Sequence, residues 1–169
     1  MNTILRTERL VLRRPRSDDV AAMHAILRDP VAMRYWSTLP HATLAESEAW
    51  VAMTIDAIIA GECDDFFIER EGLLIGKAGL WHGNEIGFLF SPTVWGKGYA
   101  REALSAVIDR AFSVLGLSEI RADADPRNER CLRLLSRLGF RETGRAERTF
   151  HIGGEWSDSI YLALAKPRT

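Results

Sequence analysis

The first sixty residues combine one alternating hydrophobic segment with several polar residues of the kind that begin helices. Segment 8–14 alternates in part and predicts a strand that Pro15 ends. Three helix starts follow, each marked by a capping residue: Ser17, Asp29 before Pro30, and Thr43 with Glu46.

The middle of the chain changes from helical spacing to runs of β-forming residues. Segments 66–70, 73–81 and 85–90 are separated by short turns, which predicts a three-stranded meander. Apolar residues at 3-4 spacing then predict a helix over 98–115, and Gly116 ends it.

The last third returns to strands. Segment 119–124 predicts a strand, Asp125-Pro126 predicts a helix start, and Gly139 ends that helix. A Gly-Gly turn then joins two strands into a hairpin, and the second of them is predicted over 159–165. The order predicts an α+β (α/β sandwich) fold, a twisted and largely antiparallel sheet of about six to seven strands flanked by helices.

Composition narrows the class of protein. A chain of 169 residues predicts one domain over 1–169, and a net charge of −1 favours neither nucleic acid nor an anionic membrane as a partner. No apolar segment approaches membrane-spanning length, so we expect a cytoplasmic protein. Cys63, Cys131 and the four histidines lack metal-ligand spacing, and we expect no metal.

The stretch SPTVWGKGYAREA, residues 91–103, places two glycines just before the helix over 98–115. Arg101 stands where a dinucleotide fingerprint has its third glycine, and Gly98 stands where a P-loop has Ser or Thr. A glycine turn that opens a helix still aims free amides at one point, so residues 96–100 are either a phosphate cradle or a plain turn.

Flanking motifs resemble those of a known family. EIGFLFSPTVWGKGYAREAL, followed by ADADPRNERCLRLLSRLGFRETG, resembles the GNAT superfamily of acetyl-CoA-dependent N-acetyltransferases over about residues 7–165. Trp95 and the ending FHIGGEWSDSIYLAL are similar to the RimJ/RimL-like branch, which acetylates ribosomal-protein N-termini. The resemblance implies acetyl-CoA as donor and direct attack by a primary amine in a ternary complex.

The same resemblance implies a cofactor site. Strands 85–90 and 119–124 would splay and leave a slot for the pantetheine arm. The implied cofactor-binding residues are Phe88, Leu89 and Phe90 through their main chain, Trp95, Gly96, Lys97, Gly98, Tyr99, Ala100 and Arg101 around the pyrophosphate, and Asn128 at the pantetheine arm. Asn128 is also a candidate helix cap.

The resemblance also nominates catalytic groups. Glu85 matches a strand glutamate that serves as base in part of the family, and its alternatives are an exposed strand residue or a substrate-binding carboxylate. Leu135 stands where many family members have a tyrosine that acts as the general acid. Cys131 and Ser136 are candidate proton donors, or small residues that pack the helix.

The sequence leaves open which class of amine accepts the acetyl group. An α-amine has a pKa of about 7.7–8 against about 10.4 for lysine, so a protein N-terminus needs the least help from a base. Trp36, Trp81 and Asp158 are candidate substrate residues. A small amine (polyamine, amino acid or aminoglycoside) is the first alternative, for which an acidic cleft is expected and Asp64-Asp65 is a hint. A silent CoA-binding module is the second. We expect a monomer or a homodimer.

Overall fold

The structure is a computed structural model and describes residues 3–167. Within that range there are eight strands and four α-helices. The strands are β1 (Ile4–Arg6), β2 (Val11–Arg13), β3 (Cys63–Arg70), β4 (Leu73–Trp81), β5 (Glu85–Phe90), β6 (Glu119–Ala124), β7 (Arg141–Ile152) and β8 (Glu155–Ala165). The helices are α1 (Val20–Leu27), α2 (Leu44–Ala60), α3 (Tyr99–Ser113) and α4 (Glu129–Arg137).

The strands form one sheet in the order β1-β2-β3-β4-β5-β6-β8-β7. Neighbours are antiparallel except β5 and β6, which are parallel and pair only where Glu85 lies beside Arg121. The Arg121 N–H donates to the Asn84 carbonyl there at 2.9 Å, and no further β5–β6 pairing follows within the described residues. The two strands therefore separate into a fork, the V-shaped slot expected from the sequence.

Helices cover both faces of the sheet because the central strands are apolar on both sides. Phe66 belongs to a core with α3 and α4, whereas its neighbour Phe67 belongs to a second core with α1 and α2. Successive side chains on a strand point to opposite faces. The result is a three-layer sandwich in which the fork opens toward both layers of helices.

The predicted fold class is confirmed, and the strands with the clearest patterns match closely. β4, β5 and β6 have the predicted bounds, and α3 falls one to two residues inside its predicted range. The Thr43 capping box is present, since the Thr43 hydroxyl accepts the Glu46 N–H and Glu46 accepts the Thr43 N–H.

Other boundaries were wrong. Within the predicted strand 8–14 only β2 is a strand, since residues 7–10 form the turn that joins it to β1. β1 was not predicted, and it brings the sheet to eight strands rather than six to seven. Asp29 begins an irregular turn, because its carboxylate accepts the N–H groups of Val31 and Ala32 without a helix following. The helix predicted at Asp125-Pro126 begins three residues later, with Asn128 as its cap.

Close approach of two strands depends on Gly79. A Cβ at this position would lie 2.4 Å from both the Cα and the Oδ1 of Asp65, its partner on β3. Gly87, the β5 partner of Gly79, has open space, since a Cβ there would meet only a Trp81 side-chain atom at 4.0 Å.

We expect Gly79→Ala to lower the free energy of unfolding by about 1–3 kcal/mol, because the added methyl group overpacks the β3–β4 contact. Gly87→Ala is the matched control on the next strand, and we expect a change of about 0.5 kcal/mol or less. Denaturant unfolding of both variants measures the difference. Equal losses in the two would contradict this account.

Candidate active site

A cavity of about 640 Å³ lies at the fork between β5 and β6. Its walls come from the 30–40 loop, from α2 and β4, from both strands of the fork and from the far end of the β7–β8 hairpin. We call it the fork cavity. Its lining therefore combines segments that are far apart in the chain.

Four residues nominated from the sequence meet in this cavity. Glu85, Trp36, Trp81 and Asp158 all line it, although they come from four different segments. Asp158 also has a structural role, since its carboxylate accepts the Arg148 N–H at 2.8 Å where β7 departs from regular pairing. Glu85 is exposed on the cavity wall.

A buried ion pair under the fork cavity was not predicted. Lys77 is 1% exposed and its Nζ lies 2.8 Å from Oδ2 of Asp65, which is fully buried. The ammonium group lies 5.6 Å from the ring centroid of Trp36, 6.0 Å from that of Trp50 and 5.5 Å from that of Trp81. These distances are those of cation–π contacts. The protein's own lysine thus fills a cage of three tryptophans.

The partners of Asp65 favour the charged form of its carboxyl group, against the effect of burial. Burial raises its pKa, and the Lys77 ammonium and the Trp81 indole N–H, at 3.3 Å from Oδ2, oppose that shift. The neighbouring Asp64 is bound by Arg14 and by Arg110, at 2.8 Å from Arg110 Nε. The pair Asp64-Asp65 is therefore structural, and the hint that it attracts a polycation was wrong.

The free negative charge of the cavity comes from other residues. Arg127 is bound to Asp125 at 2.7 Å and to Glu155, so these three groups neutralise one another in part. Within residues 3–167 no cation lies within ion-pair distance of Glu85, Asp158 or Asp123, all of which line the cavity. The cavity is consequently acidic and suited to an ammonium group.

Asp123 was missed by the sequence analysis. It is half-buried in β6, and burial raises the pKa of its carboxyl group, while contact with the Ser159 hydroxyl opposes the shift. In β6 the charged residues Glu119, Arg121 and Asp123 alternate with apolar ones, so Asp123 does not stand out. By sequence alone it is indistinguishable from a solvent-facing strand residue.

The glycine turn lies at the start of α3, beyond the end of β5. Gly98 is the N-cap residue with φ of 83°, a left-handed conformation that favours glycine. No side chain among residues 3–167 caps this helix, which leaves its first-turn N–H groups open to a ligand. The turn therefore has the chemistry of an anion cradle.

Arg9 supports the turn, and it was not predicted. Its Nη1 donates to the Lys97 carbonyl at 3.1 Å, and its Nε binds Glu102 in the first turn of α3 at 2.7 Å. Trp95 holds the other side, because its indole N–H donates to the Phe90 carbonyl at 3.0 Å. Two side chains thus fix the glycine turn to the β1–β2 turn and to the end of β5.

The main-chain groups of β5 fall into two sets. The Ser91 N–H donates to the Ile75 carbonyl on β4 at 2.9 Å, and alternation directs the groups of Leu89 to β4 as well. Leu89 is therefore removed from the expected pantetheine-pairing residues, since its N–H and C=O are used within the sheet. The main-chain N–H and C=O groups of Phe88 and Phe90 point into the fork. The Phe90 carbonyl already accepts the hydrogen bond from the Trp95 indole N–H.

The residues on α4 do not supply an evident acid. Leu135, in the place of the family tyrosine, is 1% exposed and belongs to the core. Neither Cys131 nor Ser136 lines the fork cavity; burial raises the pKa of the Cys131 thiol to about 12, and Ser136 is exposed. Asn128 caps the helix, its side-chain oxygen accepting the Cys131 N–H at 3.2 Å.

No group of three or more His, Cys, Asp or Glu side chains among residues 3–167 is arranged to hold a metal ion. Nor does that part of the chain contain a helix with the length and hydropathy needed to cross a membrane. His24 and His41 instead both contact the Ser47 hydroxyl, at 2.7 and 2.8 Å.

A family model described as an acetyltransferase (GNAT) domain matches residues 9–141. The chain belongs to the GNAT acetyltransferases. It is 30% identical over 170 residues to the uncharacterized N-acetyltransferase p20 of Bacillus licheniformis, which covers 96% of each chain. It is 35% identical over 89 residues to the [ribosomal protein uS5]-alanine N-acetyltransferase of Escherichia coli, 53% of this chain and 46% of that protein.

The fold is shared with solved GNAT structures. Spermidine N-acetyltransferase from Vibrio cholerae, in complex with CoA and spermine, matches with a TM-score of 0.82 and 25% identity over 94% of this chain and 96% of that one. The expected superfamily is confirmed, and the chain is an acetyl-CoA-dependent N-acetyltransferase. A ribosomal-protein acetyltransferase is among its relatives, as the resemblance implied.

We expect Lys77→Met to lower the free energy of unfolding by about 3–5 kcal/mol, because it leaves Asp65 buried without a counter-ion. Replacing both partners, in Lys77→Met/Asp65→Leu, is expected to recover most of that loss. Denaturant unfolding of both variants and of Asp65→Leu alone completes the double-mutant cycle. Additive losses in the double variant would show that the two charges do not depend on each other.

Proposed function

We propose that the fork cavity is the acceptor site and that the acceptor is a small amine carrying more than one positive charge, such as an alkyl polyamine. The observation that carries this proposal is a set of three cavity carboxylates, Glu85, Asp123 and Asp158, that no cation among residues 3–167 binds. An acceptor with a single ammonium group would leave part of the negative charge of these carboxylates unbalanced in a partly buried site. The relative solved with CoA and spermine supports the same substrate class.

The second candidate is a protein N-terminal α-amine, the first expectation from the sequence. Leu135 in place of the family tyrosine favours it, since an amine that is already partly neutral at pH 7 asks least of the site. The partial similarity to a ribosomal-protein alanine acetyltransferase supports it too. We rank the protein N-terminus second because the negative charge of the cavity favours an acceptor with more than one positive charge.

The donor side of the proposal uses the glycine turn and the fork. Acetyl-CoA supplies the acetyl group as a thioester. The amides of residues 96–101 would hold its pyrophosphate, Phe88 and Phe90 would pair with the pantetheine amides, and Asn128 would contact the arm while it caps α4. Because the leaving thiolate, taken as cysteine-like, has a pKa of about 8.5, loss of the family tyrosine is compatible with catalysis.

Release of the CoA thiol with a panel of amines tests the proposed acceptor. The panel contains spermidine, spermine, a monoamine of matched length, an aminoglycoside, and peptides with free or blocked N-termini. We expect the triamine to exceed the monoamine at least tenfold in kcat/KM and to lose that advantage as ionic strength rises. Preference for the free peptide would establish the second candidate. Tight acetyl-CoA binding without thiol release for any amine would establish a silent CoA-binding module.

Three expectations stay predictions. These are the single domain over 1–169, the monomeric or homodimeric state and the cytoplasmic setting.

We expect Gly98→Ala to raise the Kd for acetyl-CoA about tenfold or more. An alanine is strained at a φ of 83°, and its Cβ would lie 3.3 Å from Arg9 Nη2, so the turn would have to rearrange. Gly116→Ala is the matched control: its φ is 70°, but it lies at the opposite end of α3 with no neighbouring atom within 4 Å. Calorimetric titration should show unchanged affinity for that control. A similar loss of affinity in both variants would show that the glycine turn has no specific role in binding acetyl-CoA.

A further inference from the structure

The carboxylate of Asp123 occupies the point where the fork opens. Ala122 and Ala124, its neighbours on β6, are buried in the core with α3 and α4, so alternation directs Asp123 to the opposite face, where it lines the fork cavity. It lies two residues beyond Arg121, the last β6 residue paired with β5. It is therefore at the entrance to the gap between the strands.

Nothing on β5 covers this carboxylate. Continuing the parallel register from Glu85 beside Arg121 brings Gly87 to the level of Asp123. Gly87 has no side chain and has open space around it. A substrate group in the gap can therefore approach Asp123 directly.

The surroundings of Asp123 keep it both reactive and unneutralised. On β8, Tyr161 lies directly across from it, and Ser159, whose hydroxyl is 2.7 Å from that of Thr149, contacts it. Burial raises the pKa of Asp123, which makes its carboxylate a stronger base. The other charged groups of the cavity are Arg34, Lys77, Glu85, Asp125, Arg127, Glu155 and Asp158, with His82 at the wall. Lys77 and Arg127 are bound to other carboxylates, and Arg34 is nearest to Glu155, at 3.6 Å.

We infer that Asp123, rather than Glu85, is the catalytic base that accepts the proton of the acceptor amine; the inference rests on the proposed function. The ammonium form binds in the cavity and gives one proton to the Asp123 carboxylate. The neutral nitrogen then bonds to the thioester carbonyl carbon, and the C–S bond breaks with its electron pair on sulfur. The second nitrogen proton leaves to solvent or to the thiolate, which yields the amide and CoA.

The location of Glu85 fits a different task. It is exposed, and it lies at the closed end of the fork where β5 and β6 still pair. An exposed carboxylate attracts a cation but is screened by water. Glu85 therefore draws the ammonium group into the cavity and does not take its proton.

Steady-state kinetics of Asp123→Asn, Asp123→Glu and Glu85→Gln against pH tests the inference, with the best amine of the panel. We expect Asp123→Asn to lower kcat by about 10²–10⁴-fold at pH 7 and to regain rate as pH rises and the free amine accumulates. Its Kd for acetyl-CoA stays within about twofold of the wild type. Asp123→Glu restores part of kcat, and Glu85→Gln raises KM more than it lowers kcat. Asp109→Asn, an exposed carboxylate on α3, is the control and behaves as wild type.

Thermal unfolding distinguishes a catalytic from a structural carboxylate. A raised pKa means that folding disfavours ionised Asp123, a cost present above that pKa and relieved as pH falls through it. Asp123→Asn removes the charge, so we expect its Tm to equal or exceed that of the wild type at pH 7–8, with the advantage shrinking toward acid. A lower Tm at pH 7–8 would assign Asp123 a structural role.

Three kinetic outcomes would overturn the inference. If Asp123→Asn retains kcat and only KM rises, Asp123 binds the ammonium group without accepting its proton. If Glu85→Gln shows the loss of kcat instead, Glu85 is the base. If the wild type transfers acetyl to no amine, the proposed function fails and the inference fails with it. If the wild type is active and Asp123→Asn keeps that activity, only the inference is refuted.

Discussion

The buried pair of Lys77 and Asp65 is the constraint around which the fork cavity is built. Two ions with almost no solvent exposure need each other, and neither can be lost singly without a large cost. The ammonium group also lies against tryptophans from the 30–40 loop, α2 and β4, three of the segments that enclose the fork cavity. One charge thus holds together the wall of a cavity whose parts are distant in the chain.

The fork separates two kinds of site. On the proposed donor side, residues 88–101 form a local unit in which the end of β5, the glycine turn and the start of α3 follow one another. On the acceptor side, the cavity depends on tertiary contacts alone. The parallel pair of β5 and β6 joins the two, because its single point of pairing leaves a gap in the sheet where the two substrates would meet under the proposed function.

This difference explains what could be predicted from the sequence. The strands 73–81 and 119–124 and the glycine turn carry local patterns, and their bounds or position were predicted closely. Asp29 was misread because a carboxylate makes the same hydrogen bonds at the start of a helix and of an irregular turn. Lys77, Arg9 and Asp123 carried no local signal. Each acquires its role from a residue on another strand or helix, and one sequence does not reveal that partner.

The composite wall of the fork cavity has an evolutionary consequence. Two of its parts, the 30–40 loop and the tip of the β7–β8 hairpin, are connecting segments that line the cavity and lie outside the contiguous segment proposed to bind the donor. Loops tolerate substitution, insertion and deletion far better than the elements they connect. Descendants of such a chain can therefore exchange one amine for another by altering two surface segments, while the segment that handles the acetyl donor is inherited intact.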